Sequence, residues 1–182
     1  MASALGPIHE DTPEGDNRKR LVCRDCGFIN YVNPKVIVGA VCTWHDKILL
    51  CRRAIEPRMG YWTVPAGYLE LYEGAEQGAA REALEEAGVR ITIDGLLAVY
   101  SLSHISQIQL IFRAYLKDPY LNPGPESSEA RLVEWSQIPW SSIAFPSVTW
   151  ALNRHNEVRD QTILVPATQP DDTSAIINRE NT

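Results

Sequence analysis

The chain has 182 residues and is 45% hydrophobic, which is enough to bury one continuous core without disulfide or metal staples. Its formal net charge of −6 argues against a protein that wraps a nucleic-acid backbone, because such proteins present a clustered basic surface. The longest apolar runs fall far short of the roughly 20 residues that cross a bilayer, and the 4 cysteines are too few for a secreted disulfide framework. We therefore expect a reduced, cytoplasmic protein with no membrane or nucleic-acid partner.

Residues 1–32 are predicted to be an N-terminal extension that carries one cysteine pair. Its first twenty residues mix acidic and basic side chains, which fits neither a signal peptide nor a transit peptide. Cys23 and Cys26 have the spacing of half a zinc ribbon, but tetrahedral Zn²⁺ needs four ligands and only His9 precedes them as a further donor of that kind. Zinc bound by one chain alone is therefore doubtful. A site shared across a dimer twofold, a redox pair and a remnant knuckle without metal stay open, and we rank the remnant first.

Residues 33–160 alternate strand patterns with helix patterns. The connection His45-Asp46-Lys47 reads as the polar tip of a hairpin. Residues 161–182 are polar and punctuated by proline, so we expect a flexible C-terminal tail. The predicted strands are apolar runs rich in β-branched residues: Val36 to Val41, Ile48 to Cys51, Trp62 to Val64, Leu96 to Tyr100, Ile108 to Leu116 and Arg131 to Trp135.

Two helices are predicted among these strands. The first runs from about Gly74 to Ala87 and stops at Gly88, the residue type best suited to the left-handed conformation just past a helix end. The second begins near Pro146, a favoured first-turn residue, and continues to about Val158. Together with the strands they predict a layered α/β domain. The face of the first helix expected against the sheet consists of residues at helical spacing: Ala80, Ala83, Leu84 and Ala87.

Three glutamates share one sector of the first predicted helix. With 100° per residue, Glu82 and Glu86 lie one turn apart and Glu85 lies about 60° from Glu82. Like charges at these separations repel, so a solvated helix gains nothing from the arrangement. A divalent cation reverses that effect, and Mg²⁺ takes carboxylate oxygens together with substrate phosphates and water. The helix therefore predicts a metal site.

The segment before this helix completes the predicted site. Pro65-Ala66-Gly67 is expected to turn the backbone so that the Gly67 carbonyl points at the metal, because glycine tolerates close approach. Arg81 is expected to reach back to Glu73 and tie the loop to the helix.

These residues resemble the complete signature of the Nudix hydrolase family. The resemblance implies the Nudix α/β/α sandwich with a mixed β-sheet, Mg²⁺ or Mn²⁺ as cofactor, and hydrolysis of nucleoside diphosphates linked to another group. It implies a Nudix hydrolase domain over residues 33–160. The matching positions are Gly67, Glu73, Arg81, Glu82, Ala83, Glu85, Glu86, Gly88 and Val89.

The resemblance also implies roles for individual residues. Glu82, Glu85 and Glu86 ligate the metal directly or through water, the Gly67 carbonyl assists, and Glu73 pairs with Arg81. Which glutamate deprotonates the attacking water differs among similar enzymes. Many members add an acidic residue from a later loop, and either Glu126 or Glu129 is a candidate for that place, with an ordinary polar surface loop as the alternative.

The chain from about Asn33 to Asn156 is similar to one Nudix branch in particular. That branch contains plant FAD pyrophosphatases and bacterial proteins with an N-terminal zinc-ribbon-like segment. It implies cleavage of FAD to FMN and AMP, with ADP-ribose, NADH and nucleotide sugars as alternative substrates. A catalytically inactive nucleotide sensor is a further alternative, and a homodimer is the expected assembly because many relatives form dimers.

Several residues near the signature are candidates for binding a flat, negatively charged ligand. Three arginines are suited to phosphate oxygens, aromatic rings to stacking, and polar side chains at the start of a strand to reading a base edge. The structural alternatives are solvated charge for the arginines and core packing for the rings. The candidates are Arg52, Arg53, Arg58, Tyr61, Trp62, His104, Gln107 and Gln109.

Overall fold

The computed structural model describes residues 6–162 and 164–170, and the chain divides into two units, residues 1–34 and 35–182. In the described part of the chain, no helix has both the length and the apolar character needed to span a membrane. The expected tail beyond residue 170 lies outside the described residues.

The smaller unit is a three-stranded antiparallel sheet, although the sequence pattern predicted no strands there. Asp16, in the connection before the second strand, pairs with Arg20 at the start of that strand at 2.9 Å. Cys23 and Cys26 bracket a tight turn in which the Gly27 N–H donates to the Cys23 carbonyl at 2.8 Å. The strands are β1 (His9–Asp11), β2 (Arg20–Val22) and β3 (Ile29–Asn30). Strands of two or three residues are too short for an alternating pattern to be recognised.

The larger unit contains a mixed seven-stranded sheet with the central order β10-β5-β4-β9-β8. The pair β4–β9 is parallel and the other pairs are antiparallel, while β6 pairs with β5 and β7 with β4. The strands are β4 (Lys35–Trp44), β5 (Lys47–Arg53), β6 (Trp62–Thr63), β7 (Ala66–Tyr68), β8 (Ile91–Leu102), β9 (Gln107–Leu116) and β10 (Ser127–Glu134).

One helix packs on each face of this sheet. Successive side chains of a strand point to opposite faces, so Val38, Ala40 and Cys42 of β4 join the core under α1 (Ala75–Ala87). Val41 joins the core under α2 (Pro146–Val158). Short 3₁₀ turns occupy Ser103–Ile105, Trp135–Gln137 and Trp140–Ser142. The predicted α/β/α sandwich with a mixed sheet is confirmed.

The elements agree with their sequence patterns except near the candidate site. Both helices and the hairpin at His45 are present, and all six predicted strands have counterparts. The predicted turn Pro65-Ala66-Gly67 is wrong at its last two residues: the backbone bends at Pro65, but Ala66–Tyr68 forms β7 and pairs with β4. Three residues beside a proline were too few to indicate a strand.

Part of the segment expected to be a flexible tail contacts the sheet. Ala167 forms a parallel bridge with Ala98 of β8, and its N–H donates to the Leu97 carbonyl at 3.1 Å. Leu164 packs against the core cluster under α2. Residues 164–167 therefore lie along β8.

Candidate active site

Helix α1 buries two of its glutamates. Glu82 and Glu86 are 8% and 7% exposed, whereas Glu85 is exposed at the rim. The buried face also contains Gly78, Ala79, Ala83 and Ala87. The predicted apolar face was therefore wrong at Ala80, which is half-buried, and at Leu84, which is half-exposed. Hydrophobicity misplaced this face because two of its inward-facing residues are carboxylates.

Arg81 links the helix to the preceding loop. Its guanidinium donates two hydrogen bonds to the Glu73 carboxylate, at 2.8 and 3.1 Å, and one to the Tyr68 carbonyl at 2.9 Å. It also contacts Glu82 at 2.7 Å and Glu85 at 3.0 Å. The pairing with Glu73 that the resemblance implies is thus present, and Arg81 neutralises part of the glutamate cluster.

Close backbone approach brings β7 to the glutamates. A Cβ at Gly67 would overlap the Glu82 carboxylate, so only glycine fits at this position without displacing that side chain. Gly78 has a similar role that the sequence reasoning missed, since its Cβ would lie 2.8 Å from Val38 Cγ2 on β4. An isolated glycine in a helix pattern was the available signal for that close packing.

Burial raises the pKa of both buried glutamates of α1. Removal from solvent, reinforced by the negative charge of Glu82, raises the pKa of Glu86 to about 8, against the opposing effects of Arg53 and a hydrogen bond from the Ala66 backbone. Burial likewise raises the pKa of Glu82, although Arg81 opposes it. Glu86 Oε2 is buried and has no hydrogen-bond partner within the described residues.

The two candidate acids of the later loop are placed differently. Glu126 lies close enough to raise the pKa of both Glu82 and Glu86 and lines the same cleft. Glu129 lies on β10, where it pairs with Arg131 and approaches Arg52 at 4.0 Å, and it does not line the cleft. Only Glu126 therefore joins the helix glutamates.

A cleft of about 1480 Å³ opens beside the glutamates. Arg53, Arg58, Tyr61 and Gln107 all line it, and the Arg58 guanidinium lies 5.6 Å from the Tyr61 ring centroid. Gln109 also lines the cleft and donates to Gln107 at 3.4 Å. These candidates are brought together at one surface.

Other candidates lie outside the cleft. Arg52 donates to the Gly60 carbonyl at 2.9 Å, and its guanidinium lies 4.0 Å from the Glu129 carboxylate on β10. Trp62 is 9% exposed and belongs to the hydrophobic core, so the alternative of core packing is confirmed for this ring. His104 is also absent from the cleft lining. Strand alternation explains the difference between the arginines, because neighbours on β5 point to opposite faces.

The sequence pattern did not predict one part of the cleft lining. This part comes from the segment before α2 and from the first turns of α2: Trp140, Phe145, Ser147 and Trp150. The Ala144 N–H donates to the Trp62 carbonyl at 2.8 Å, which holds this segment beside β6. Aromatic residues in a loop carry no local sign of such a contact.

The donor set suits a hard divalent cation. Glu82 and Glu86 offer buried carboxylate oxygens, one of them unpartnered, and Gly67 leaves backbone within reach. Arg81 holds Glu82 and Glu85 in the present arrangement, and within the described residues no three His, Cys, Asp or Glu side chains are assembled as a metal site. By their chemistry, these carboxylate oxygens would suit a hard divalent cation.

Two family comparisons divide the chain at the same place. The model of the NUDIX domain matches residues 33–151, and the model described as Nudix N-terminal, a zinc-ribbon segment, matches residues 6–32.

Individual relatives agree with this assignment. A NUDIX hydrolase structure from Nitrosomonas europaea is 46% identical, covers 93% of this chain and 97% of its own, and superposes with a TM-score of 0.85. A MutT-like protein from Streptomyces ambofaciens is 36% identical over 54% of this chain and 60% of its own length. An ADP-ribose pyrophosphatase from Methanocaldococcus jannaschii is 30% identical over 60% of this chain and 67% of its own. Because the domain match spans more than half of the residues, the chain belongs to the Nudix family of hydrolases.

Proposed function

We propose that this chain hydrolyses the pyrophosphate bond of a nucleoside diphosphate derivative, with Mg²⁺ or Mn²⁺ held by Glu82, Glu85, Glu86 and the Gly67 carbonyl. One observation carries the proposal, the buried and unpartnered Oε2 of Glu86 beside a second buried carboxylate. Buried carboxyl groups of this kind are unfavourable without a counter-charge, and the raised pKa of Glu86 expresses that cost.

The side chains near the cleft have three proposed roles: proton acceptance, positioning of the glutamates and phosphate binding. The bound cation supplies a water of lowered pKa and neutralises charge on the transferring phosphoryl group. Glu126 and the helix glutamates are the carboxylates of the cleft lining that can accept the proton of the attacking water. Arg81 and Glu73 hold β7 against α1, so they position the glutamates. Arg53 and Arg58 face the cleft, where they can bind the remaining phosphate oxygens.

FAD is the substrate we propose, with FMN and AMP as products. The cleft is larger than the roughly 300–1,000 Å³ typical of small-ligand pockets, and its lining includes the aromatic side chains of Tyr61, Trp140, Phe145 and Trp150. Two planar ring systems joined by a pyrophosphate match this combination of volume and aromatic surface. ADP-ribose, NADH and nucleotide sugars share the pyrophosphate and are the alternatives.

A substrate panel tests the proposal. The protein is incubated with Mg²⁺ and, separately, FAD, NADH, ADP-ribose, ADP-sugars and oxidised nucleoside triphosphates, and the products are separated by chromatography. We expect FAD to be cleaved to FMN and AMP with the highest kcat/KM, and EDTA to abolish the reaction. Preferred cleavage of ADP-ribose would replace FAD while leaving the reaction class intact. Survival of every compound would instead favour the inactive sensor.

A further inference from the structure

Two glutamines of β9 present their amide groups to the cleft. Gln107 and Gln109 are both half-buried, and both line the cleft. Alternation along the strand places them on the same face of the sheet as Ile111, which belongs to the core under α2. Gln109 Nε2 donates to Gln107 Oε1 at 3.4 Å. An amide side chain offers two N–H donors and a carbonyl acceptor, so this one bond leaves the Gln107 amino group and the Gln109 carbonyl oxygen to a ligand.

The side chains around this pair are aromatic and apolar. Tyr100 lies directly opposite Gln109 on the neighbouring strand β8. The ring of Trp150, which lines the cleft from α2, meets the Tyr100 ring edge to face with 5.4 Å between the centroids. Ile37 lies opposite Gln109 on the other side, on β4, and also lines the cleft. A flat ring bound here would contact apolar side chains through its faces and the amides through its edge.

The register of the sheet places the glutamines at a nucleotide's length from the glutamates of α1. Ile37 of β4 pairs with Gln109 on one side and with Tyr68 of β7 on the other. Neighbouring strands are about 4.8 Å apart, so the backbones at Gln109 and Tyr68 are separated by roughly 10 Å. Tyr68 follows Gly67, where a Cβ would overlap the Glu82 carboxylate. A ribose and its phosphate can therefore span the distance between a base at the glutamines and a pyrophosphate at the glutamates.

We propose that Gln107 and Gln109 bind the edge of the substrate's adenine ring, which packs beside Trp150. The inference rests on the proposed function, because it assigns the base of the same substrate. Adenine presents an amino donor next to a ring-nitrogen acceptor, and a glutamine amide matches both groups at once. FAD, NADH, ADP-ribose and the ADP-sugars all carry adenine. The glutamine pair therefore makes the protein selective for adenine nucleotides, whichever group is linked to the second phosphate.

Binding of AMP and of FMN, the two halves of FAD, tests the adenine subsite without catalysis. Calorimetry in EDTA compares the wild type with Gln107→Leu, Gln109→Leu and the control Ser101→Ala. Ser101 is an exposed residue of β8 that pairs with Ile108, so its side chain points to the other face of the sheet. We expect AMP binding to weaken about tenfold or more in each glutamine variant, with FMN binding unchanged, and both affinities to be unchanged in the control. Thermal unfolding of each variant verifies that the fold is retained.

The outcomes separate the adenine subsite from the proposed reaction. Wild-type affinity for AMP in either glutamine variant, or no measurable heat when AMP is added to the wild type, would overturn the subsite even if the substrate panel shows hydrolysis. An equal or larger loss of FMN binding would overturn the assignment to adenine. Selectively weakened AMP binding in both variants, combined with no cleavage of any compound in the panel, would support the subsite and contradict the hydrolase proposal.

Discussion

Glu86 combines burial with charge in a way that few side chains of this chain do. Its carboxyl group is removed from solvent, adjoins Glu82, and has one oxygen without a partner in the described residues. Sequence spacing was sufficient to predict that Glu82, Glu85 and Glu86 share one sector of a helix. It could not predict that two of them are buried and the third is exposed, because burial depends on how the helix is rotated against the sheet.

Replacing Glu86 with glutamine tests its assigned role as a metal ligand. Glu86→Gln keeps the volume but replaces a charged oxygen with a weaker neutral ligand, so we expect kcat to fall by about 100-fold or more on the preferred substrate, while the far-UV spectrum is unchanged. Steady-state kinetics at increasing Mg²⁺ measure the loss. Glu76→Gln, an exposed change on the same helix, serves as the control. Wild-type kcat at saturating Mg²⁺ in Glu86→Gln would remove the residue from the site.

His155 predicts a pH dependence of stability. The residue is 8% exposed, and burial, with Arg113 and Arg159 nearby, lowers its pKa to about 4. The unfolded chain, with a histidine pKa near 6.5, takes up the proton first as pH falls, so the free energy of unfolding decreases between about pH 6.5 and 4, by at most about 3 kcal/mol. Urea unfolding at pH 7.5 and 5 measures the change.

Two substitutions separate this effect from general acid denaturation. His155→Phe removes the titrating group, and we expect a shallower loss of stability on acidification than in the wild type. Asn153→Ala alters an exposed, non-titrating side chain of the same helix and should keep the wild-type profile. Equal slopes in His155→Phe and the wild type would show that His155 does not carry the effect.

At the scale of elements, α1 is held in position by close contacts with β4 and with the loop after β9. Gly78 approaches β4, and the loop after β9 packs on the C-terminal end of the helix through the Asn122 N–H, which donates to the Ala87 carbonyl at 2.8 Å. The same loop carries Glu126 to the glutamates. The sequence pattern predicted the helix and its end at Gly88, where φ is 69°, but not this contact between distant segments.

Gly124 is predicted to be the critical residue of that loop. A Cβ there would overlap the carbonyl oxygen of Glu85, which is backbone and cannot swing aside. We expect Gly124→Ala to lower the free energy of unfolding by about 1–3 kcal/mol and to reduce kcat, because the loop carrying Glu126 must move. Urea unfolding and steady-state kinetics provide the two measurements.

Gly74 offers the matched control for this change. Its φ is −80°, and an added Cβ would contact only the end of the Gln77 side chain, with Oε1 at 3.5 Å and Cδ at 4.0 Å. Gly74→Ala should therefore cost under about 1 kcal/mol, the usual scale for a helix cap. If Gly124→Ala lowers the free energy of unfolding and kcat no more than Gly74→Ala does, the loop accommodates the added Cβ and does not position Glu126.

The second helix depends on a buried arginine. Arg113 of β9 is 2% exposed, donates to the Val158 carbonyl at 2.9 Å and to the Gln161 carbonyl at 2.8 Å, and pairs with Asp94. It therefore ties the end of α2 to the sheet, while the first turn of the same helix lines the cleft. An arginine within the apolar run Ile108 to Leu116 gave no sequence indication of this role.

At the scale of the whole molecule, residues 6–32 match the Nudix N-terminal segment and contain one cysteine pair, Cys23 and Cys26. Asp16, Arg20 and Tyr31 stabilise this unit by an ion pair and a ring contact, the Arg20 guanidinium lying 5.2 Å from the Tyr31 ring centroid. Cys23 and Cys26 are free thiols, and backbone hydrogen bonds from Cys26 and Asp25 lower the pKa of Cys23.

Elemental analysis of the purified protein separates a zinc site shared across a dimer from the two metal-free interpretations of this cysteine pair. Because one chain supplies one CxxC, we expect a zinc-to-chain ratio near zero and a cooperative unfolding transition that EDTA does not shift. A ratio near one half, together with a dimeric mass by light scattering, would instead support a site shared across the twofold. The homodimer itself stays a prediction.

The sequence by itself determined the family, the α/β class, both helices and the glutamate spacing of α1. These features are local, since a helix sets the relative positions of Glu82, Glu85 and Glu86, and alternation sets the faces of β4. It also brought most of the cleft candidates into view, including Arg53, Arg58 and Tyr61.

Only the tertiary structure decided which candidates meet. Glu126, Arg53 and Ser147 line the cleft, whereas Glu129 and Arg52 do not. These choices depend on contacts between segments far apart in the chain, where the rotation of a helix and the path of a loop follow from packing as a whole. No local pattern records such contacts, so they could be read only from the folded molecule.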